Sequence, residues 1–195
     1  MGLSQSNNHF WDSCVLIRHI TGSPPELLAH MSRILDDAKV GKRHIWYSTI
    51  LYAEFRPSLL KGSSAFSSID QLISEIEGVM LPVSPNPVIL QKAGRLRDHK
   101  FESAPDVKQA NEKTRVLTVP DSIQFATCLW VKEALGVSDI EFHTFDDGKG
   151  KNYEEKAVSL LRFEDYAGHI VDDAEIDSVR RLVRIKPELD QGQLF

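Results

Sequence analysis

Short apolar runs alternate along this chain with longer amphipathic segments, and that alternation limits the fold more than any other feature. It is the pattern of an α/β domain whose strands run parallel. Strands are expected at 9–12, with Val15, Leu16 and Ile17 continuing the apolar run, and at 44–49, 79–83 and 140–144. Helices are expected between them at 24–40, from about Ile50 to Pro57, at 66–77 and at 85–100. In the 24–40 segment the stripe Leu27, Leu28, Met31, Ile34, Leu35 and Ala38 has helical spacing, and Gly41 suits its end. The segment 121–135 is apolar on nearly every side, as in a helix buried between a sheet and other elements, and Gly136 stops it. The polar stretch 101–118 reads as a loop, and 158–163 as a further edge strand. Charge density rises beyond Tyr166, which divides the chain into a domain over 1–166 and a C-terminal extension over 167–195 with one helix at 174–183.

Four carboxylates occupy equivalent places in this layout. Asp12 closes the first strand, Glu54 lies one turn into the helix after the second, Asp121 sits in the first turn of the apolar helix, and Asp146 follows the fourth strand. Each stands at the carboxyl end of a strand or at the start of a helix leaving that edge, where open parallel sheets bind ligands. Each also has a plain reading. Asp121 suits a helix N-terminus, Asp146 a turn, and Glu54 the margin of an apolar face. Asp12 is the hardest to explain that way, because an unpaired carboxylate is costly to bury. If the four converge they repel one another, and a divalent cation is the simplest remedy. An all-oxygen ligand set favours Mg²⁺ or Mn²⁺.

Composition narrows the alternatives. Two cysteines, Cys14 and Cys128, are too few for a disulfide framework or a zinc ligand set. The histidines have no spacing of the H-E-x-x-H kind. A net charge of −5 argues against a protein that attracts nucleic acid over its whole surface. It leaves room for an enzyme with carboxylates at its centre and a local basic rim. No apolar run is long enough for a bilayer, and residues 1–8 lack the features of a signal peptide, so a cytoplasmic protein without a membrane partner is the expectation.

The stretches Phe10-Trp11-Asp12-Ser13-Cys14-Val15-Leu16-Ile17, Ser48 through Glu54-Phe55-Arg56, Pro120-Asp121-Ser122-Ile123-Gln124-Phe125-Ala126-Thr127 and His143-Thr144-Phe145-Asp146 resemble the PIN-domain nucleases, including the VapC-type toxins. The resemblance covers roughly residues 9–165. It implies a three-layer α/β/α sandwich around a parallel sheet of four or five strands, and a Mg²⁺- or Mn²⁺-dependent endoribonuclease. Asp12, Glu54, Asp121 and Asp146 map to the family's catalytic, metal-binding acids, with Ser13 and Thr144 as polar helpers and Asp147 as a substitute or assistant for Asp146. It implies RNA as substrate, a cognate antitoxin if the chain is a toxin, and a tendency towards homodimers. Two positions depart from the family pattern: Cys14 stands where Asn is common, and Leu51 where Thr is often found.

Position sorts the basic residues. Lys42, Arg43 and His44 precede the second strand and belong at the edge opposite the acids, as a solvated cluster. Lys149 and Lys151 follow Asp146 and would flank the cleft, and the loop bearing Lys108, Lys113 and Arg115 leads into Asp121. The competing readings are a PIN-like module without catalysis, which Cys14 and Leu51 favour, and a metal-dependent phosphatase. The aspartate-nucleophile motif of the latter needs a second Asp where Cys14 stands. The ending Gln191-Gly192-Gln193-Leu194-Phe195 looks like the Gln-x-x-Leu-Phe peptides that dock on sliding clamps, and equally like a plain polar tail.

Overall fold

The first strand, β1 (Asn8–Trp11), becomes the centre of a five-stranded sheet in the computed structural model, which describes residues 6–21, 25–60, 68–106, 114–147 and 157–187. The chain leaves β1 through α1 (Ser13–Thr21) and α2 (Pro25–Lys39), returns in β2 (His44–Ser48), and passes through the single turn α3 (Leu51–Glu54) into a 3₁₀ turn at Pro57–Leu60. Next come α4 (Ile69–Glu77), β3 (Met80–Val83) and α5 (Pro87–Arg97). After the 101–118 connection, α6 (Val119–Ala134) leads into β4 (Glu141–His143). The short α7 (Glu164–Ala167), then α8 (Ala174–Arg180) and β5 (Val183–Ile185), follow.

The order across the sheet is β3-β2-β1-β4-β5, and every pairing is parallel. The architecture is the three-layer α/β/α sandwich expected from the sequence. One face of β1 and β4 carries Phe10 and Phe142, whose rings stack at 5.6 Å. This face packs under α5, α6 and α8 through residues such as Ile89, Leu96, Phe125 and Val179. The other face carries Trp11, Ile45 and Tyr47 and meets α1 and α2 through Val15, Leu16, Met31 and Ile34. The chain builds outward from β1 to β3 and then restarts on the other side of β1 with β4. The strand order therefore switches between β1 and β4, and the crevice above that switch is the natural ligand position of such sheets.

Local chemistry explains the boundaries. The side chain of Thr118 caps α6 by accepting from Asp121 N at 3.3 Å, Asn86 caps α5 through Ile89 N at 3.0 Å, and Asp173 caps α8. Gly41 and Gly136 follow α2 and α6 with φ of 72° and 73°, the left-handed conformation that ends a helix at little cost for glycine.

Two expectations are corrected. Val15, Leu16 and Ile17 lie in α1 and do not extend the first strand; a run of three apolar residues fits a buried helix face as well as a strand. Residues 158–163 form turns, not an edge strand. Val158, Leu160 and Phe163 are all fully buried, and Leu161 N donates to Asp146 O at 3.0 Å, so the apolar pattern there marks core anchors under a loop. From the 167–195 segment come α8 and β5, and β5 pairs with β4 along Glu141–His143. Among the described residues no helix is long and apolar enough to cross a membrane.

The two kinds of glycine at helix ends give opposite expectations. An added Cβ at Gly136 meets nothing within 4 Å, so only its positive φ opposes a side chain. Gly136→Ala should therefore cost about 1 kcal/mol, a fall in Tm of about 2–4 °C. Gly78, with φ of −75°, should accept Ala with no loss. Thermal unfolding of the two variants followed by circular dichroism checks the contrast, and equal losses would reject it.

Candidate functional site

Asp12 directly follows β1, and its backbone N–H continues the ladder to β4 by donating to His143 O at 3.0 Å. That places its side chain at the carboxyl edge of the sheet, above the switch. The carboxylate is only 5% exposed. Its Oδ2 accepts from Thr144 Oγ1 at 2.8 Å and from Cys14 Sγ at 2.9 Å. Thr144 Oγ1 in turn accepts from Asp146 N at 3.1 Å, so one hydroxyl ties the ends of β1 and β4 together.

Glu54 ends α3, the turn that β2 feeds. Its Oε2 accepts from Ser13 Oγ at 2.6 Å and from Gln124 Nε2 at 3.0 Å. Gln124, fully enclosed in α6, also donates to Ser13 Oγ at 2.7 Å. Asp121 stands in the first turn of α6, where Thr118 Oγ1 donates to its Oδ2 at 2.5 Å. Asp146 Oδ2 accepts from Leu160 N at 3.1 Å, and Ser159 Oγ donates to Asp146 O at 2.8 Å.

The four acids meet, as their charges show. Burial pushes the Asp12 carboxyl up to about 6; the Cys14 and Thr144 hydrogen bonds oppose this, and the nearby charges of Glu54 and Asp146 reinforce it. Burial likewise pushes Asp121 up to about 7, opposed by the Thr118 hydrogen bond and reinforced by Asp12, Asp146 and Glu54. The thiol of Cys14 is driven well above its ordinary range by burial and by Asp12. Asp147, the neighbour that the sequence left in competition with Asp146, pairs with Lys186 Nζ at 3.3 Å just past β5.

The donor chemistry suits a hard cation. Among the described residues, the side-chain hydrogen bonds to Asp12, Glu54 and Asp121 each fall on one oxygen of the carboxylate: Oδ2, Oε2 and Oδ2. Three acids thus have one oxygen held by neighbouring side chains, which is how orienting neighbours prepare carboxylates for a metal ion.

The basic residues divide. Arg43 lies at the opposite, amino edge as expected, bonded to Asp37 Oδ2 at 2.9 Å and not simply solvated. Arg115 holds the 101–118 connection: its Nε donates to Ser103 Oγ at 3.3 Å, NH1 to Ala157 O at 3.0 Å, and its guanidinium lies over the Tyr166 ring at 4.7 Å. Lys108, Lys113, Lys149, Lys151 and the 191–195 tail lie outside the described residues.

Two features escaped the sequence reading. Gln124 and Thr118 hold the acids in place. Gln124, three residues after Asp121 on the same helix face, was visible as a polar residue in an otherwise apolar segment. The second feature is a histidine cluster on the face of β1 and β4 that packs under α1 and α2. His9 Nδ1, His143 Nε2 and Glu141 Oε2 lie within 4.8 Å of one another, and the group could hold a metal ion. Burial lowers His143 to about 4. Burial raises Glu141, but hydrogen bonds from His143 and His9 outweigh it and hold the carboxyl near 2. The alternation of Glu141 and His143 on one strand, which puts both on one face, was the available signal.

No protein-family model matches this chain, and no curated protein matches it.

The raised carboxyls set the sign of a pH effect. Between about pH 4 and pH 7 the folded chain holds a proton on Asp121 that the unfolded chain has released, so this group's contribution to stability falls as pH rises through that window. Asp121→Asn should therefore stabilise the metal-free protein at pH 8 by about 1 kcal/mol, or about 2–4 °C in Tm, with the difference vanishing near pH 4. Thermal scans across pH test it; a variant less stable than wild type at pH 8 would contradict the desolvated site.

Proposed function

We propose that the chain is a PIN-like, divalent-metal-dependent endoribonuclease that hydrolyses RNA phosphodiester bonds at the carboxyl edge of β1 and β4. The observation that carries this reading is the convergence of Asp12, Glu54, Asp121 and Asp146: Asp12 and Asp121 are desolvated, and the charges of neighbouring acids in the group raise them further. Such a group is destabilising by itself and is relieved by a cation. The all-parallel sheet of five strands in a three-layer sandwich agrees with the architecture the resemblance implies, and its acids stand above the switch.

Asp12, Asp121 and Asp146 would hold Mg²⁺ or Mn²⁺. When bound, the ion lowers the pKa of a coordinated water and neutralises charge developing on the phosphate. The protein's own part is orientation. Thr144 and Cys14 fix Asp12 by one oxygen, and Thr118 fixes Asp121 by one oxygen. Ser13 and Gln124 hold Glu54 so that its second oxygen can accept a proton from the attacking water. The water oxygen then bonds to phosphorus, one P–O ester bond breaks, and the leaving oxygen takes up a proton. Single-stranded RNA is the favoured substrate, because its backbone enters a cleft most readily. Lys186 pairs with Asp147, the residue after Asp146, and would be the basic side chain offered to a phosphate. A toxin role with a small antitoxin covering the cleft, and a homodimer, belong to the same reading.

A non-catalytic module with this fold is the second reading. It draws on the Cys14 thiol at 2.9 Å from Asp12 Oδ2 and on Leu51, which is buried in the apolar core.

Cleavage of a single-stranded RNA by metal-stripped protein reloaded with Mn²⁺ separates the two. Asp12→Asn and Glu54→Gln should each lower the rate at least about 100-fold while the fold is retained. Wild-type activity in Asp12→Asn would rule out the site, and inactivity of wild type with no Mn²⁺ bound would favour the module.

A further inference from the structure

Three potential ligand atoms from two neighbouring strands touch one another beneath α2. His9 Nδ1 lies 3.0 Å from His143 Nε2 and 3.3 Å from Glu141 Oε2, and the third edge of the triangle, His143 Nε2 to Glu141 Oε2, is 3.4 Å. The side chains of His9 and His143 are 2% and 3% exposed, while that of Glu141 is 14% exposed and opens the group to solvent.

With the Glu141 carboxylate ionised, hydrogen bonding leaves one edge of this triangle unsatisfied. An unprotonated imidazole nitrogen accepts and a protonated one donates, and neither does both. A proton on His9 Nδ1 can serve His143, Glu141 or both, but the His143–Glu141 edge then sets lone pair against lone pair. A second proton on His143 Nε2 repairs that edge and sets the two N–H groups against each other at 3.0 Å. While the carboxylate is ionised, one edge is repulsive whatever the protonation of the two rings. Among the described residues the buried His143 Nδ1 has no hydrogen-bond partner, so they do not complete the network on that side either.

A cation facing all three lone pairs makes every edge compatible. Ligand atoms of a tetrahedral zinc ion at 2.0–2.1 Å stand about 3.3–3.4 Å apart, so the observed triangle is close to one face of that tetrahedron. Two imidazoles and one carboxylate are a set that suits zinc and its neighbours in the first transition row more than Mg²⁺. We propose that His9, Glu141 and His143 form a structural Zn²⁺ site that clamps β1 to β4 on one face of the sheet, distinct from the carboxylates beyond the carboxyl ends of the same strands.

Arg43 makes the site conditional. Its NH1 lies 3.0 Å from His9 Nε2, and a guanidinium only donates, so in the metal-free chain that nitrogen accepts and the His9 proton sits on Nδ1. An ion on Nδ1 moves the proton to Nε2, where it faces Arg43. Metal loading therefore requires Arg43 NH1 to leave the ring nitrogen. The Arg43 contact and the ion exclude each other.

The test is a Co²⁺ titration of the metal-stripped full chain, read by visible absorption, followed by displacement with Zn²⁺. The inference requires one equivalent with tetrahedral-type d–d bands, in wild type and equally in an Asp12→Asn/Asp121→Asn background that disables the carboxylate site. Glu141→Gln and His143→Gln should weaken binding about 10–100-fold, and Arg43→Met should tighten it about 10-fold. Arg43→Met, which removes no proposed ligand, keeps the test decisive if a histidine variant misfolds. Absence of the bands in both wild type and Arg43→Met would overturn the proposal. So would bands that survive His143→Gln and disappear in the Asp12→Asn/Asp121→Asn protein, since the ion would then sit among the acids.

Discussion

The parallel pairing of β1 with β4 is the constraint on which the rest depends. These strands are far apart in the chain, yet His9, Phe10 and Trp11 lie in register with Glu141, Phe142 and His143. The pairing closes the gap left when the chain has built outward to β3, and it creates the switch in strand order. It also brings Asp12 beside Thr144 and Asp146. Without it the acids would belong to separate loops, and no shared electrostatic environment would exist.

The same strand pair buries polar chemistry in two places by two different means. At the carboxyl edge Asp12 and Asp121 are desolvated, and their carboxyls rise well above the ordinary range. On the face under α1 and α2, Glu141 is held near 2 by two imidazoles, while His143 falls to about 4. In the first group burial is the larger cause, and in the second the hydrogen bonds from the imidazoles outweigh it. Phe10 and Phe142 stack on the opposite face and, with Phe125, provide apolar burial that offsets the desolvation of both groups. A fold that carries this much buried polarity on two short strands depends on α5 and α6 to stay assembled.

Much of the layout was legible in the chain. The period of the apolar residues located α2, an apolar run on nearly every side located α6, glycines marked two helix ends, and short runs located β1 to β4. Asp12 was legible because a carboxylate at the end of an apolar strand demands an explanation. The errors came where local pattern is ambiguous. Val15–Ile17 is an apolar triplet that tertiary packing assigned to a helix, and 158–163 is an apolar stretch that packing anchored as turns. The short β5 carries Val183 and Ile185 around Arg184, a pattern too brief to identify a strand until β4 presents it with an unpaired edge.

By itself the sequence determined the alternation of elements, their approximate ends, and which four acids occupy strand-to-helix corners, because these follow from side-chain periodicity and backbone preference within a few residues. Only the tertiary structure decided that Asp146 joins the acids while Asp147 pairs with Lys186, that Gln124 steadies Glu54 from α6, and that His9 meets Glu141 and His143. Those outcomes turn on ångström-scale contacts between segments distant in the chain. Strand register and helix packing set such contacts, and local residue order does not encode them in readable form.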